Sequence, residues 1–320
     1  MSGLLFFVVG AAVVGIVIVI KPVQAHPQGM VKGVITDADL DSNQRYKETH
    51  IKYFSPDELT FNLNTAQQLQ PEINGAAGLL VDIDTGKVLF EKDSKTKRPI
   101  ASLVKIMTAV VAIEHKPIDT KIYVSKRAGD IGENNMGINE GEVYTLEELL
   151  YGLFMHSGND AAYAISEGVA GNSNRFVDWM NLKAQELGLN NTHFADPSGL
   201  DNSSYSTPED IAKLTAYALK FEDLERIAST IEIVLGEKPK MHSTVYLYNQ
   251  TNLLSTYPGV KGFKTGYTSK AGLCLVTNAD YGGHRVVGVV LGSNDRKGDM
   301  IIMLDHGFEQ LGVNIVHNLL

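Results

Sequence analysis

Apolar and polar positions divide the chain into three stretches. Residues 3–20 run without a charge and are followed by Lys21-Pro22 and the small-x-small triplet Val23-Gln24-Ala25, the pattern of an export segment. Cleavage after Ala25 is the favoured outcome, and an uncleaved anchor is the other, because the run is just long enough to span a bilayer. No Lys or Arg precedes the run and Lys21 follows it, the reverse of the positive-inside pattern for an exported C-terminus and the pattern expected if the true start lies upstream. Residues 26–75 are polar, mixed in charge and without periodicity, which predicts a linker. A domain is expected over 76–320.

Within that domain the hydrophobic period changes twice. Residues 78–84 and 87–91 flank Thr85-Gly86 and read as a β-hairpin. A nearly all-apolar stretch, 102–114, predicts a buried helix with Ser102 in its first turn. Thr145-Leu-Glu-Glu148 is a capping box opening a helix to about 156, and Ser157-Gly-Asn159 separates it from a helix over 160–169. Further helices are expected over 176–187 and 208–221. From 245 onward the signal is strand-like, over 245–248, 262–268, 272–278 and 284–291, before a last helix from about Asp299. Strands at both ends must pair to hide their apolar faces, so the fold class is α+β: an antiparallel β-sheet flanked by helices, with a helical subdomain.

Composition narrows the function. With 320 residues and 44% hydrophobic content the chain can build a sizeable core, and a net charge of -9 offers no basic field for nucleic acid. The single cysteine, Cys274, excludes an internal disulfide and a cysteine metal cluster, and its apolar strand makes it a buried hydrophobe rather than a nucleophile.

Candidate chemistry lies in serine and lysine. A serine hydroxyl needs a base within reach, and three residues along a helix brings a lysine to nearly the same face. Ser102-Leu-Val-Lys105 has that spacing, and so does Ser94-Lys-Thr-Lys97. The second sits in a charged stretch where Lys97 stays solvated and protonated, whereas burial of the apolar helix can lower the Lys105 pKa. Ser102 and Lys105 are therefore the expected nucleophile and base. Ser157-Gly-Asn159 and Lys264-Thr-Gly266 follow in order, each occurring once. His156 and His193 lack a ligand pattern and are read as structural.

With these three motifs in order, the chain resembles the low-molecular-mass penicillin-binding proteins, the D-alanyl-D-alanine carboxypeptidases of beta-lactamase/transpeptidase-like fold. The likeness covers about 76–312 and extends to Pro99-Ile-Ala-Ser-Leu-Val-Lys-Ile-Met-Thr, Asn191-Thr-His-Phe-Ala-Asp-Pro-Ser-Gly-Leu-Asp and Gly262-Phe-Lys-Thr-Gly-Tyr-Thr. The resemblance implies acylation of Ser102 by D-Ala-D-Ala ends of peptidoglycan stem peptides, with Lys105 as base and Ser157 as proton relay. It also implies an oxyanion site between the amides of Ser102 and Tyr267, with Gly266 letting substrate lie close to the strand. Asn159 would hold the substrate's amide, and Lys264, Thr265 and Arg296 would receive its carboxylate. It implies beta-lactams as inhibitors, no cofactor and no metal, and an extracytoplasmic location with membrane contact only through the N-terminus. The chain ends soon after its last helix, leaving no room for the family's C-terminal second domain or anchor, so any tether is expected at the N-terminus. The rivals are a D,D-endopeptidase, a beta-lactamase, and a non-catalytic peptidoglycan-binding module.

Overall fold

In the computed structural model, which describes residues 60–62 and 70–319, the first turn is closed by a side chain. Asp82 Oδ1 accepts the amides of Asp84 and Thr85 at 3.0 Å each, and Gly86 supplies a left-handed φ of +72°. This makes the expected hairpin from β1 (Ala77–Asp82) and β2 (Val88–Lys92). The export segment 1–25 lies outside the described residues, as does the linker except for 60–62 and 70–75. Among the described residues no helix is long and apolar enough to cross a membrane.

After the short strand β3 (Arg98–Pro99) the chain makes one tight helical turn, Ala101–Leu103, before α1 (Val104–His115). Residues 104–112 of α1 are all buried, as an all-round apolar helix requires. β4 (Lys121–Tyr123), the single-turn α2 (Lys126–Gly129) and β5 (Val143–Thr145) lead to α3 (Leu146–Met155). Its capping box is complete, with Thr145 accepting the Glu148 amide and the Glu148 carboxylate accepting the Thr145 amide. Then follow α4 (Asn159–Ala170), α5 (Ser173–Glu186), β6 (Tyr205–Ser206) and α6 (Pro208–Ala218). The sequence reading ran this last helix to 221, but the chain breaks there and restarts as α7 (Glu222–Ala228).

β7 (Glu232–Leu235), which the sequence pattern did not reveal, pairs with β8 (Val245–Tyr248). β9 (Val260–Thr268), β10 (Gly272–Tyr281) and β11 (His284–Ser293) come next, and α8 (Arg296–Gln310) starts three residues earlier than expected, because the Asp295 side chain caps it at Gly298 N.

β1 pairs with β11, Leu79 opposite Val289, so the two ends of the domain share one antiparallel sheet of order β2-β1-β11-β10-β9. Side-chain alternation divides β11 cleanly. Val287, Val289 and Leu291 join the core formed with α1, α3, α4 and α6, while Val286 and Val290 pack with Leu80 and Met300, Leu304 and Phe308 of α8. Helices therefore cover both faces, and glycine permits the closeness: a Cβ on Gly307 would lie 2.2 Å from Leu80 Cδ2. β9 is an edge strand of the sheet, and the 101–103 turn packs against it.

Candidate active site

Ser102 stands in a strained turn. Ala101, with no glycine's freedom, has φ +47°, and β3 fixes the approach by pairing Arg98 and Pro99 with Ser206 and Tyr205. The turn carries Ser102 partly exposed and Lys105 fully buried, with Lys105 Nζ 3.1 Å from Ser102 Oγ. Burial pulls the Lys105 pKa down to about 7, against the opposing attraction of Asp196, then Asp160 and Glu133. The competing pair differs as expected in one respect: Lys97 is exposed, over the Tyr205 ring. Ser94 itself is buried, its hydroxyl donating to Glu91.

The 157–159 loop enters from the helical side. α3 ends at His156, Ser157 takes φ +55°, and α4 begins at Asn159. Asn159 Oδ1 accepts from Lys105 Nζ at 2.8 Å, and Asn159 Nδ2 donates to the Gly132 carbonyl at 3.1 Å. Next to it, the Asp160 carboxylate gathers the amides of Met136, Gly137 and Ile138 at 2.9–3.2 Å, which ties that loop to the start of α4. His156 Nε2 accepts the Tyr248 amide at 3.2 Å, and His193 exchanges backbone hydrogen bonds with Tyr205, so both serve as structure.

β9 brings the third motif. Lys264 is fully buried and donates to Ser157 Oγ and to the Thr265 carbonyl, 2.9 Å each. Burial, then the charges of Lys105 and Arg296, push its pKa well below the ordinary lysine value. Gly266 sits in a tight place, since a Cβ there would lie 3.1 Å from the Ile100 carbonyl oxygen and 3.2 Å from Ser102 N, so that the neighbouring backbone would have to give by a few tenths of an ångström. The nucleophile's amide thus lies against the strand, beside Tyr267, whose side chain is 63% exposed at the rim. Arg296, from the start of α8, donates to the Gly266 carbonyl at 2.9 Å and lines a recess with Thr265, Gln250 and Thr251. All nine candidate residues are thereby drawn into one neighbourhood by the 101–103 turn, α1, the 157–159 loop, β9 and α8.

Sequence reasoning missed a fourth wall. Lys105 Nζ also donates to the Ser198 carbonyl at 2.6 Å, and Gly199 abuts the nucleophile turn so closely that a Cβ would fall 2.1 Å from the Ala101 oxygen. Asp196 collects the amides of Ser198, Gly199 and Leu200 at 3.3, 2.9 and 3.2 Å, along with the Ser198 hydroxyl. The Asp-Pro-Ser-Gly-Leu-Asp run was visible in the sequence, but nothing in its spacing tied it to Lys105. Among the described residues there is no cluster of His, Cys, Asp and Glu that could hold a metal ion.

The sequence profile of the D-alanyl-D-alanine carboxypeptidase family matches residues 63–295. The D-alanyl-D-alanine carboxypeptidase DacF of Bacillus subtilis (strain 168) is 37% identical over 243 residues, 73% of this chain and 62% of that protein. The D-alanyl-D-alanine carboxypeptidase of Streptomyces sp. (strain K15) is 34% identical over 258 residues, 75% of this chain and 89% of that protein. The crystal structure of the Streptomyces K15 DD-transpeptidase superposes with a TM-score of 0.72 at 32% identity, covering 76% of this chain and all of that one.

Proposed function

Because the chain belongs to the D-alanyl-D-alanine carboxypeptidase family, we propose that it is an extracytoplasmic serine hydrolase that removes the terminal D-Ala from peptidoglycan stem peptides. One observation carries the mechanism. Lys105 is fully buried, 3.1 Å from Ser102 Oγ, with its pKa drawn to about 7, so an appreciable share is the neutral amine at neutral pH.

The neutral amine takes the Ser102 proton as Oγ attacks the carbonyl of the D-Ala-D-Ala bond. As the Oγ–C bond forms, negative charge develops on the substrate's carbonyl oxygen, held between the amides of Ser102 and Tyr267. The proton passes from Lys105 to the leaving amine with Ser157 as relay, and Lys264, 2.9 Å from Ser157 Oγ, orients that hydroxyl. The C–N bond breaks, D-Ala departs, and an ester on Ser102 remains. Lys105, neutral again, then takes the proton of the water that hydrolyses the ester. Asn159 Nδ2 has two hydrogens and one carbonyl partner among the described residues, which leaves an N–H for the substrate's amide oxygen. Thr265 and Arg296 border the recess suited to the terminal carboxylate, and no step needs a metal. A beta-lactam acylates the same serine. Residues 1–25 carry the chain across the membrane, either cleaved after Ala25 or kept as an anchor.

The test uses the full chain and Ser102→Ala, each incubated with a labelled penicillin and with a peptide ending in D-Ala-D-Ala. Serine-dependent labelling with D-Ala release is the expected result. Labelling without release points to an endopeptidase, rapid turnover of the penicillin to a beta-lactamase, and absence of both label and release to a binding module.

A further inference from the structure

We propose that Asp196 is a positioning residue for this reaction: its carboxylate folds residues 198–200 against the nucleophile turn and thereby aims the Ser198 carbonyl and a negative charge at Lys105. The inference rests on the reading that Ser102 is acylated with Lys105 as base.

The geometry makes the 196–200 segment a small tripod. Asp196 is buried, and its two oxygens accept from four donors in the next four residues: the amides of Ser198, Gly199 and Leu200 and the Ser198 hydroxyl. A chain reversing this tightly has few backbone partners of its own, so the carboxylate takes their place. Gly199, at φ +84°, is pressed against the carbonyl of Ala101, the residue that precedes the nucleophile. On the far side of that contact, the Ser198 carbonyl receives Lys105 Nζ at 2.6 Å, and Thr108 Oγ1 of the next helical turn donates to the Pro197 carbonyl at 2.6 Å. The segment therefore grips α1 at two levels and the nucleophile turn at a third.

A base needs its lone pair directed at the serine proton, and the three hydrogen-bond partners of Lys105 decide that direction. Ser102 Oγ, Asn159 Oδ1 and the Ser198 carbonyl are those partners. Ser102 stands in the 101–103 turn that leads into α1, and Asn159 opens α4. The third is held only by a surface-to-core loop, and Asp196 is what gives that loop its shape.

Charge is the second contribution. The charged groups facing Lys105 are Asp160 from α4, Glu133 from the loop before β5, Lys264 from β9, and Asp196. Both carboxylates are tied to nearby amides, Asp160 beside Asn159 and Asp196 two residues before Ser198, the residues whose oxygens receive Lys105 Nζ. Among the attractions that oppose the effect of burial on this lysine, that of Asp196 is the largest.

The test is the pH dependence of acylation by a fluorescent penicillin, using the full chain, Asp196→Asn and Ser198→Ala, with melting temperatures alongside. Removing the anion makes Lys105 easier to deprotonate, so Asp196→Asn moves the acidic limb of the profile about one pH unit lower, and the plateau falls several-fold through loss of aim. Ser198→Ala keeps the charge and frees the loop, so its plateau falls several-fold with the limb unmoved. A folded Asp196→Asn protein with the limb of the unmodified chain overturns the proposal. If that variant does not fold, a Ser198→Ala plateau equal to that of the unmodified chain overturns it instead. Failure of the unmodified chain to be labelled overturns the acylation reading itself, and the inference with it.

Discussion

At the scale of single residues, the site depends on a lysine kept from its usual charge. Lys105 has a pKa near 7 because burial outweighs the neighbouring carboxylates. Lowering the pH through that value protonates the amine, and a protonated amine cannot take the Ser102 proton. Acylation by a penicillin should therefore fall about tenfold for each pH unit below the limb, while the melting temperature hardly changes over the first unit. A profile flat through this region would remove Lys105 as the base. A second residue prediction concerns space. Gly199→Ala places a methyl 2.1 Å from the Ala101 oxygen at a φ of +84°, so the nucleophile turn must shift. We expect a loss of about 10²-fold in acylation, measured by stopped flow on folded protein; retention of the wild-type rate would mean that the turn does not need this contact.

Secondary elements explain why much of the site could be read in advance. Ser102 and Lys105 are joined by local spacing across the start of an apolar helix, and Ser157 and Asn159 fall in the break between the helix that the capping box opens and the next one. These are short-range signals, and the structure keeps them. α7 was missed because Glu222 to Ala228 is too short to show a helical period, and its separation from α6 is a single break near Phe221. β7 was missed because only its pairing with β8, ten residues on, makes Glu232–Leu235 a strand. The contact of Ser198 with Lys105 bridges 93 residues and runs through a backbone carbonyl, to which no side chain testifies. The capping box permits a test at this scale. Thr145→Ala removes the hydroxyl that accepts the Glu148 amide, and should cost about 1 kcal/mol of stability by urea unfolding, with penicillin labelling of Ser102 intact at low temperature. Unchanged stability would show that the Glu148 pairing with Lys238, at 2.6 Å, holds the helix start by itself.

For the molecule as a whole, the decisive feature is closure of the sheet by strands from opposite ends of the domain. β1 and β11 align with no break in register from Ala77 to Asp82, and only that pairing sets β10 and then β9 beside the nucleophile turn. The sequence pattern indicated that the terminal strands should meet and that helices should flank the sheet, but not which face α8 would cover, since no motif in α8 marks it. One buried side chain locks the closure. Asp299, in the first turn of α8, accepts the amides of Asn74 and Gly75 at 2.7 and 2.8 Å and the Ser293 hydroxyl at 2.5 Å. It thus fastens the entry to β1 to the exit from β11, across 225 residues of chain. Asp299→Ala removes the acceptor of those three donors, of which the Gly75 amide and the Ser293 hydroxyl are buried, and should cost about 3 kcal/mol in denaturant unfolding. Because Arg296 leads the same helix and reaches the Gly266 carbonyl, the loosened α8 should also raise KM for the D-Ala-D-Ala peptide more than it lowers kcat. A variant that keeps both its stability and its KM would mean that strand pairing alone holds the two ends together.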